Sequence, residues 1–187
     1  MILASGSPRR LQILQSLGVQ PKVIIANVDE TPYANENPSE YVLRLAIEKS
    51  SVVSSDYPAE WVLGSDTIVA LPDNKKLGKP ENLTKAFKML KNLSGKCHHV
   101  FTGVCLKKLE TNQNFSFVEK STVYFKKLSN EEIIEYHKRI NPLDKAGAYA
   151  IQEHGELVVD RYEGEYYNIV GLPINQLKLL LNQLQIS

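Results

Sequence analysis

The chain opens Met1-Ile2-Leu3-Ala4-Ser5-Gly6-Ser7-Pro8-Arg9-Arg10, and these ten residues decide the fold class. An apolar start, Ile2 to Ser5, reads as a strand. Ser7-Pro8 reads as a helix start, with Ser7 in the capping position and Pro8 at the first helical position, where its missing N–H costs nothing. The helix then runs through "RRLQILQSLG" to a stop at Gly18. A strand feeding a Gly-Ser turn and a helix N-terminus gathers free backbone N–H groups and the positive end of the helix dipole at one point, which favours an anion. Arg9 and Arg10 add the forked donors that suit phosphate.

The rest of the chain repeats the alternation of strand and helix, which predicts an α/β protein. "KVIIANVDE" reads as a strand ending in Asp29 and Glu30, and "PSEYVLRLAIEKSSVVSSD" as a helix capped by Ser39. "WVLGSDTIVAL" reads as a buried strand interrupted at Gly64-Ser65-Asp66, followed by a turn, "PDNKKLGKP", and a helix, "LTKAFKMLKNLSG". Two strands, "HHVFTGVCLKKL" and "FSFVEKSTVYFKKL", form a hairpin about "ETNQN". A helix, "SNEEIIEYHKRI", a loop, "NPLDKAGAYAIQ", a pair of strands about Glu163-Gly164-Glu165 and a last helix, "INQLKLLLNQLQ", complete the pattern.

Composition excludes several classes. The 187 residues are 43% hydrophobic and 23% charged, with 22 basic against 21 acidic side chains. This balance argues against stable nucleic-acid binding, which rests on a clustered basic surplus. The length suffices for a core without disulfides. Cys97 and Cys105 lack metal-site spacing and are expected to be reduced thiols. No apolar run reaches the roughly 20 residues of a membrane span, and the basic start does not suit a signal peptide, so a cytoplasmic location is expected.

Asp66 is the most informative single residue, because a carboxylate amid "WVLGS" and "TIVAL" is costly to bury unless it meets a cation or a hydrogen bond. Lys49, Lys79 and Lys145 lie among apolar or turn residues and, with the arginines and carboxylates, make a consistent polyphosphate and magnesium site if the fold gathers them.

These segments together resemble the Maf family of nucleoside triphosphate pyrophosphatases. "LASGSPRR", "VDETP" with "YVLRLAIEKS", "LGSDTIV", "LGKP", "LSGKCHHVFTGV", "PLDKAGAYAIQ" and "YYNIVGLP" occur in the family's order along nearly the whole chain. The resemblance implies a single two-lobed α/β domain over residues 1–187, with a central curved mixed sheet flanked by helices and a cleft between the lobes. It implies cleavage of a nucleoside triphosphate between the α and β phosphates, with a divalent cation, Mg²⁺ or Mn²⁺, and a homodimer as the assembly. Position by position, Asp66 matches the proposed catalytic base, and Ser5, Arg10, Glu30, Lys49, Lys79 and Gln152 match the other motif positions. Glu30 and Asp66 are the expected metal ligands.

Two branches of the family differ at three positions, here Arg9, Thr67 and Gln152. This combination resembles the branch acting on dTTP and UTP, whereas the branch acting on 7-methyl-GTP carries an aromatic residue, Gln and Glu. Gln152 can both donate to a pyrimidine carbonyl and accept from its N3–H. Modified pyrimidine nucleotides are further candidate substrates, and the alternatives are the 7-methyl-GTP activity and a non-catalytic nucleotide-binding regulator of cell division. Ala150 and Glu153 stand where the family often has glycine, so backbone strain is expected if either adopts positive φ.

Overall fold

The computed structural model describes residues 1–186. Seven strands form one mixed sheet among the described residues. In chain order the elements are β1 (Ile2–Leu3), α1 (Pro8–Ser16), β2 (Lys22–Val23), α2 (Pro38–Asp56), β3 (Val62–Ala70), β4 (Lys76–Leu77), α3 (Leu83–Leu93), β5 (Cys97–Lys108), β6 (Gln113–Phe125), α4 (Asn130–Arg139), β7 (Val159–Glu163), α5 (Tyr166–Val170) and α6 (Ile174–Gln183). The strand order is β2-β1-β3-β5-β6-β7, with β4 paired to β3. β1 is parallel to β2 and to β3, while β4 and β7 are antiparallel to their partners, so the α/β class and the mixed sheet are as predicted.

The chain divides into two compact units. Among the described residues the first comprises 1–67, 102–119 and 171–186, and the second 68–101 and 120–170. In the first unit, Ile2, Ala4, Val53 and Val62 form an apolar cluster, joined by Ile24, Ala26 and Tyr57. The second unit has the larger cluster, which includes Leu90, Leu93, Val123, Phe125, Ile133, Tyr136 and Tyr149.

Several sequence-based boundaries move, each for a physical reason. "KVIIANVDE" is paired only at Lys22–Val23, because its sole neighbour β1 ends at Leu3, and Ile24 N–H makes the last bond, to Leu3 O at 3.1 Å. Ile25 is then 72% exposed and the chain runs on as a loop. α2 is capped by Asn37, not Ser39. Asn37 Oδ1 accepts from Glu40 N–H and Glu40 Oε2 accepts from Asn37 N–H, each at 3.0 Å, a reciprocal capping box with Pro38 at the first helical position. The turn after β3 contains β4, made possible by Asn74 at φ 66°, which lets Leu71–Lys75 close a hairpin. The second strand expected after Gly164 is instead α5, whose buried Asn168 donates to Val100 O at 3.1 Å and Ser121 Oγ at 2.9 Å.

β3 runs through Gly64-Ser65-Asp66 without interruption. Gly64 serves helix packing rather than a turn. A Cβ there would lie 2.1 Å from Ala46 O and 2.7 Å from Ser50 N, and one at Gly103 of β5 would lie 2.2 Å from Val42 O. The backbone of α2 therefore rests directly on β3 and β5, as only glycine allows.

Gly103→Ala is expected to cost about 3 kcal/mol, because the methyl meets rigid helix backbone, whereas Gly78→Ala, with open space around it, should stay within about 0.5 kcal/mol. Urea unfolding of the two variants checks both values, and equal midpoints would refute the packing argument.

Candidate active site

Alternation along β3 sends successive side chains to opposite faces, and the site begins there. Gly64 and Asp66 face α2. Since Gly64 touches α2 between Ala46 and Ser50, Lys49 of that helix comes directly over Asp66. Lys49 Nζ lies 2.7 Å from Asp66 Oδ1 and 2.6 Å from Glu30 Oε1. Lys49 and Asp66 are 8% and 9% exposed, while Glu30 is open to solvent. Tyr41, two turns further back on α2, donates from its hydroxyl to Glu30 O at 2.8 Å and so fixes the loop that carries Glu30.

The opposing influences on Asp66 can be ranked. Burial pushes its carboxyl above the usual aspartate range, and this outweighs the pull of Lys49 and Arg10 in the other direction. The same burial and the nearby Asp66 and Glu30 push the Tyr41 hydroxyl up to about 12. Arg10 is lowered by burial, against the attraction of Asp66.

On the other face of β3, Thr67 meets Arg10 of α1. The guanidinium donates from Nη2 to Thr67 Oγ1 at 3.0 Å, from Nη1 to Ser5 Oγ at 2.8 Å and from Nε to Gly171 O at 2.9 Å. The Thr67 hydroxyl also lies 2.9 Å from Thr102 Oγ1. Arg10 thereby ties the end of β1, the middle of β3 and the segment before α6 into one corner. Ser7 occupies the N-cap position of α1 but makes no side-chain cap bond, contrary to the predicted capping role. Its own N–H turns back to Ser5 Oγ at 3.3 Å, and Leu11 makes the first intrahelical bond, to Ser7 O. The first-turn amides of Arg9 and Arg10 thus keep their donor capacity beside the half-exposed Arg9 side chain.

The first unit therefore brings together Ser5, Arg10, Glu30, Lys49, Asp66 and Thr67, with Arg9 alongside. Lys79 and Gln152 belong to the second unit. Lys79 is exposed and, among the described residues, has no acceptor; Gln152 is exposed on the turn Ala150–Glu153. Lys145, grouped above with the phosphate-binding cations, is only 4% exposed and donates to Asn141 O, Asp144 Oδ1 and Glu153 Oε2. The strain expected at Ala150 and Glu153 is absent, since the left-handed backbone falls on Ala148 (φ 62°) and His154 (φ 55°) instead. Cys97 and Cys105 are free thiols, and burial pushes the Cys105 thiol up.

Glu30 and Asp66 suit a hard divalent cation. Both aim a carboxylate oxygen at one point, now taken by the Lys49 ammonium, and a cation such as Mg²⁺ uses one or two carboxylates with substrate phosphates. No cluster of three or more His, Cys, Asp or Glu side chains that could enclose a metal occurs among the described residues, so an all-protein cage is not what the site offers. Sequence reasoning missed Tyr41, Thr102 and Gly171. Thr102 carried a weak signal, a hydroxyl inside the apolar run "VFTGV", but nothing in the sequence pointed to the Gly171 carbonyl as an acceptor.

No helix among the described residues is long and apolar enough to cross a membrane. Comparison with known proteins gives a consistent picture. The family model described as Maf-like protein matches residues 1–184. A Bacillus anthracis protein named dTTP/UTP pyrophosphatase is 44% identical over 187 residues, which cover 100% of this chain and 96% of that relative. Proteins of the same name from Bacillus cereus and a Geobacillus species are each 43% identical, over 100% and 94% of this chain and 91% and 93% of their own lengths. With the family pattern running from the first residue to the last helix, this chain belongs to the Maf family.

Proposed function

We propose that this chain is a nucleoside triphosphate pyrophosphatase that hydrolyses dTTP and UTP to the monophosphate and pyrophosphate in the cytoplasm, with residues 1–187 acting as one catalytic domain. The observation that carries the reading is the buried Asp66, held by Lys49 beside Glu30, in a chain 44% identical to proteins named for this activity. Asp66 is the general base. It takes a proton from a water that attacks phosphorus at the α–β phosphoanhydride, and the bond to the departing pyrophosphate breaks in line. A carboxyl raised by burial is a better base than an exposed aspartate.

When bound, a divalent cation such as Mg²⁺ or Mn²⁺ neutralises phosphate charge, and Glu30 and Asp66 are the carboxylates that would hold it. Lys49 stabilises the Asp66 carboxylate and keeps Glu30 turned inward. Arg10 and Ser5 orient phosphate oxygens, Arg10 through the two N–H groups that its three internal bonds leave over. The α1 amides and the Arg9 guanidinium offer further donors, and Lys79 supplies a free cation for the charge that grows on the leaving group. Thr67 and Gln152 are assigned to base selection, Gln152 because its amide donates and accepts along one edge, as a uracil or thymine requires.

Pyrophosphate release from dTTP, UTP, CTP, GTP, 7-methyl-GTP and ATP tests this directly. Turnover is expected for dTTP and UTP, and none from any nucleotide would overturn the reading. Asp66→Asn should lower kcat by roughly 100-fold or more, the scale of a lost general base. Its stability has a defined sign. Because the folded pKa of Asp66 lies above the unfolded value, the folded state holds that proton more tightly, and stability falls as pH rises from the unfolded to the folded pKa. At neutral pH the wild-type protein bears this cost, so Asp66→Asn should melt no lower than wild type in a thermal scan. By the same sign, kcat/KM should fall on the acid side through an apparent pKa above that of a free aspartate. An acid limb at or below the free value would refute the assigned base.

A further inference from the structure

The Gln152 turn is unusually well fastened for an exposed loop. Ala150 and Glu153 are its first and last residues, closed by Glu153 N–H on Ala150 O at 3.4 Å, and Gln152 is the third. Both ends are tied to the second unit by groups that the proposed chemistry does not use. The Tyr136 hydroxyl of α4 donates to Ala150 O and accepts from Ala150 N–H, each at 3.1 Å, so one phenol satisfies both backbone groups of the first turn residue. Tyr136 is 1% exposed and sits in the apolar cluster, which leaves the hydroxyl no other place to go. At the other end, Glu153 Oε2 lies 3.2 Å from Lys145 Nζ. An ammonium has three protons, and Lys145 spends them on Glu153, on Asp144 Oδ1 at 2.8 Å and on Asn141 O at 3.1 Å. At 4% exposure with its donors filled, Lys145 acts as a structural tie, in contrast to the open Lys79.

The flanks are fixed as well. Tyr149, just before the turn, is 5% exposed, and its hydroxyl lies 2.8 Å from His98 Nε2. Ala148 O lies 3.1 Å from His137 Nε2. The left-handed residues Ala148 and His154 bracket the segment and reverse the chain on either side of it. Ala and His seldom adopt that region, at a cost of order 1 kcal/mol each, so the surrounding bonds must hold them there. The chain on either side of Gln152 is thus tied at Ala150 and at Glu153.

We propose that Tyr136 and the Lys145–Glu153 pair are positioning residues for nucleobase selectivity: they set the height and orientation of the turn that presents Gln152, without touching the base themselves. This rests on the reading of Gln152 as a base-selecting residue. It also gives Glu153 a purpose at a position where glycine would supply freedom but no tie. A side-chain amide carried on a held backbone reaches the base edge from one anchor point, whereas one on a mobile turn meets donor and acceptor edges alike.

The test compares Tyr136→Phe, Glu153→Gln and Gln152→Ala with wild type by measuring kcat/KM for UTP and for CTP, which share the sugar and triphosphate and differ at the base edge. A merely structural role would lower both values together or reduce the melting temperature. The expected result is a UTP-to-CTP ratio reduced roughly tenfold in Tyr136→Phe and in Glu153→Gln, in the direction of Gln152→Ala, by misplacement of a specificity group. Should Tyr136→Phe fail to fold, Glu153→Gln alone decides, because Glu153 is partly exposed. A ratio changed in Gln152→Ala but unchanged in the positioning variants overturns this inference alone. A ratio unchanged in Gln152→Ala overturns the base-selection reading, and this inference with it.

Discussion

The close approach of α2 to β3 and β5 is the constraint on which the first unit depends. Glycine at 64 and 103 removes the side chains that would hold helix and sheet apart, and helix backbone then lies where Cβ atoms would otherwise be. Two consequences follow from the same contact. Lys49 reaches Asp66 because 46 and 50, which touch Gly64, bracket 49 on the helix, and because 66 follows 64 on the same face of the strand. Asp66 is also desolvated, which raises its carboxyl. A larger residue at either glycine would loosen the fold and separate the ion pair in one stroke.

Charge balance explains why so buried a cluster is tolerable. Lys49 bridges two carboxylates, Glu30 and Asp66, while the Arg10 guanidinium, attracted by both from the other face of β3, has every one of its nitrogens on a neutral oxygen. The buried Lys49–Asp66 pair and the buried guanidinium are thus each hydrogen-bonded, the condition under which burial is affordable. The distribution is uneven, however. Glu30 is 58% exposed at its side chain while its partners are enclosed, so it is the member most readily drawn away when a cation or phosphate arrives. The site is thus pre-organised around Asp66 and adaptable at Glu30.

Much of this was legible in the sequence, and the failures share a cause. "LASGSPRR" announced a strand, a turn and a helix because each local preference agrees with the others, and Asp66 stood out because burial of a carboxylate needs a reason. What local pattern could not show is where a neighbouring element ends. "KVIIANVDE" has the β-branched apolar run of a strand, yet it pairs over two residues because β1 offers no more. Gly64 reads as a break when only its own neighbours are considered, and becomes a contact surface once α2 is laid on it. Ser39 was a plausible cap until Pro38 is seen to occupy the first helical position, which makes Asn37 the cap. Roles of carbonyls, such as Gly171 O for Arg10, are invisible in any sequence, since every residue has one.

The loop of the second unit shows how far the setting of one exposed residue, Gln152, depends on groups remote from it. Strain was expected at Ala150 and Glu153 if either took positive φ, and neither does: positive φ occurs instead at Ala148 and His154. Ala150 is held where both its N–H and its C=O meet the Tyr136 hydroxyl, and Glu153 where its carboxylate meets Lys145, while the left-handed residues lie outside the turn, at 148 and 154. Tyr136 belongs to the same apolar cluster as Leu90, Phe125 and Ile133. The packing of that core therefore bears on where Gln152 is displayed, and on the proposed reading of Gln152 a change in base preference can arise inside the core without any substitution at Gln152 itself.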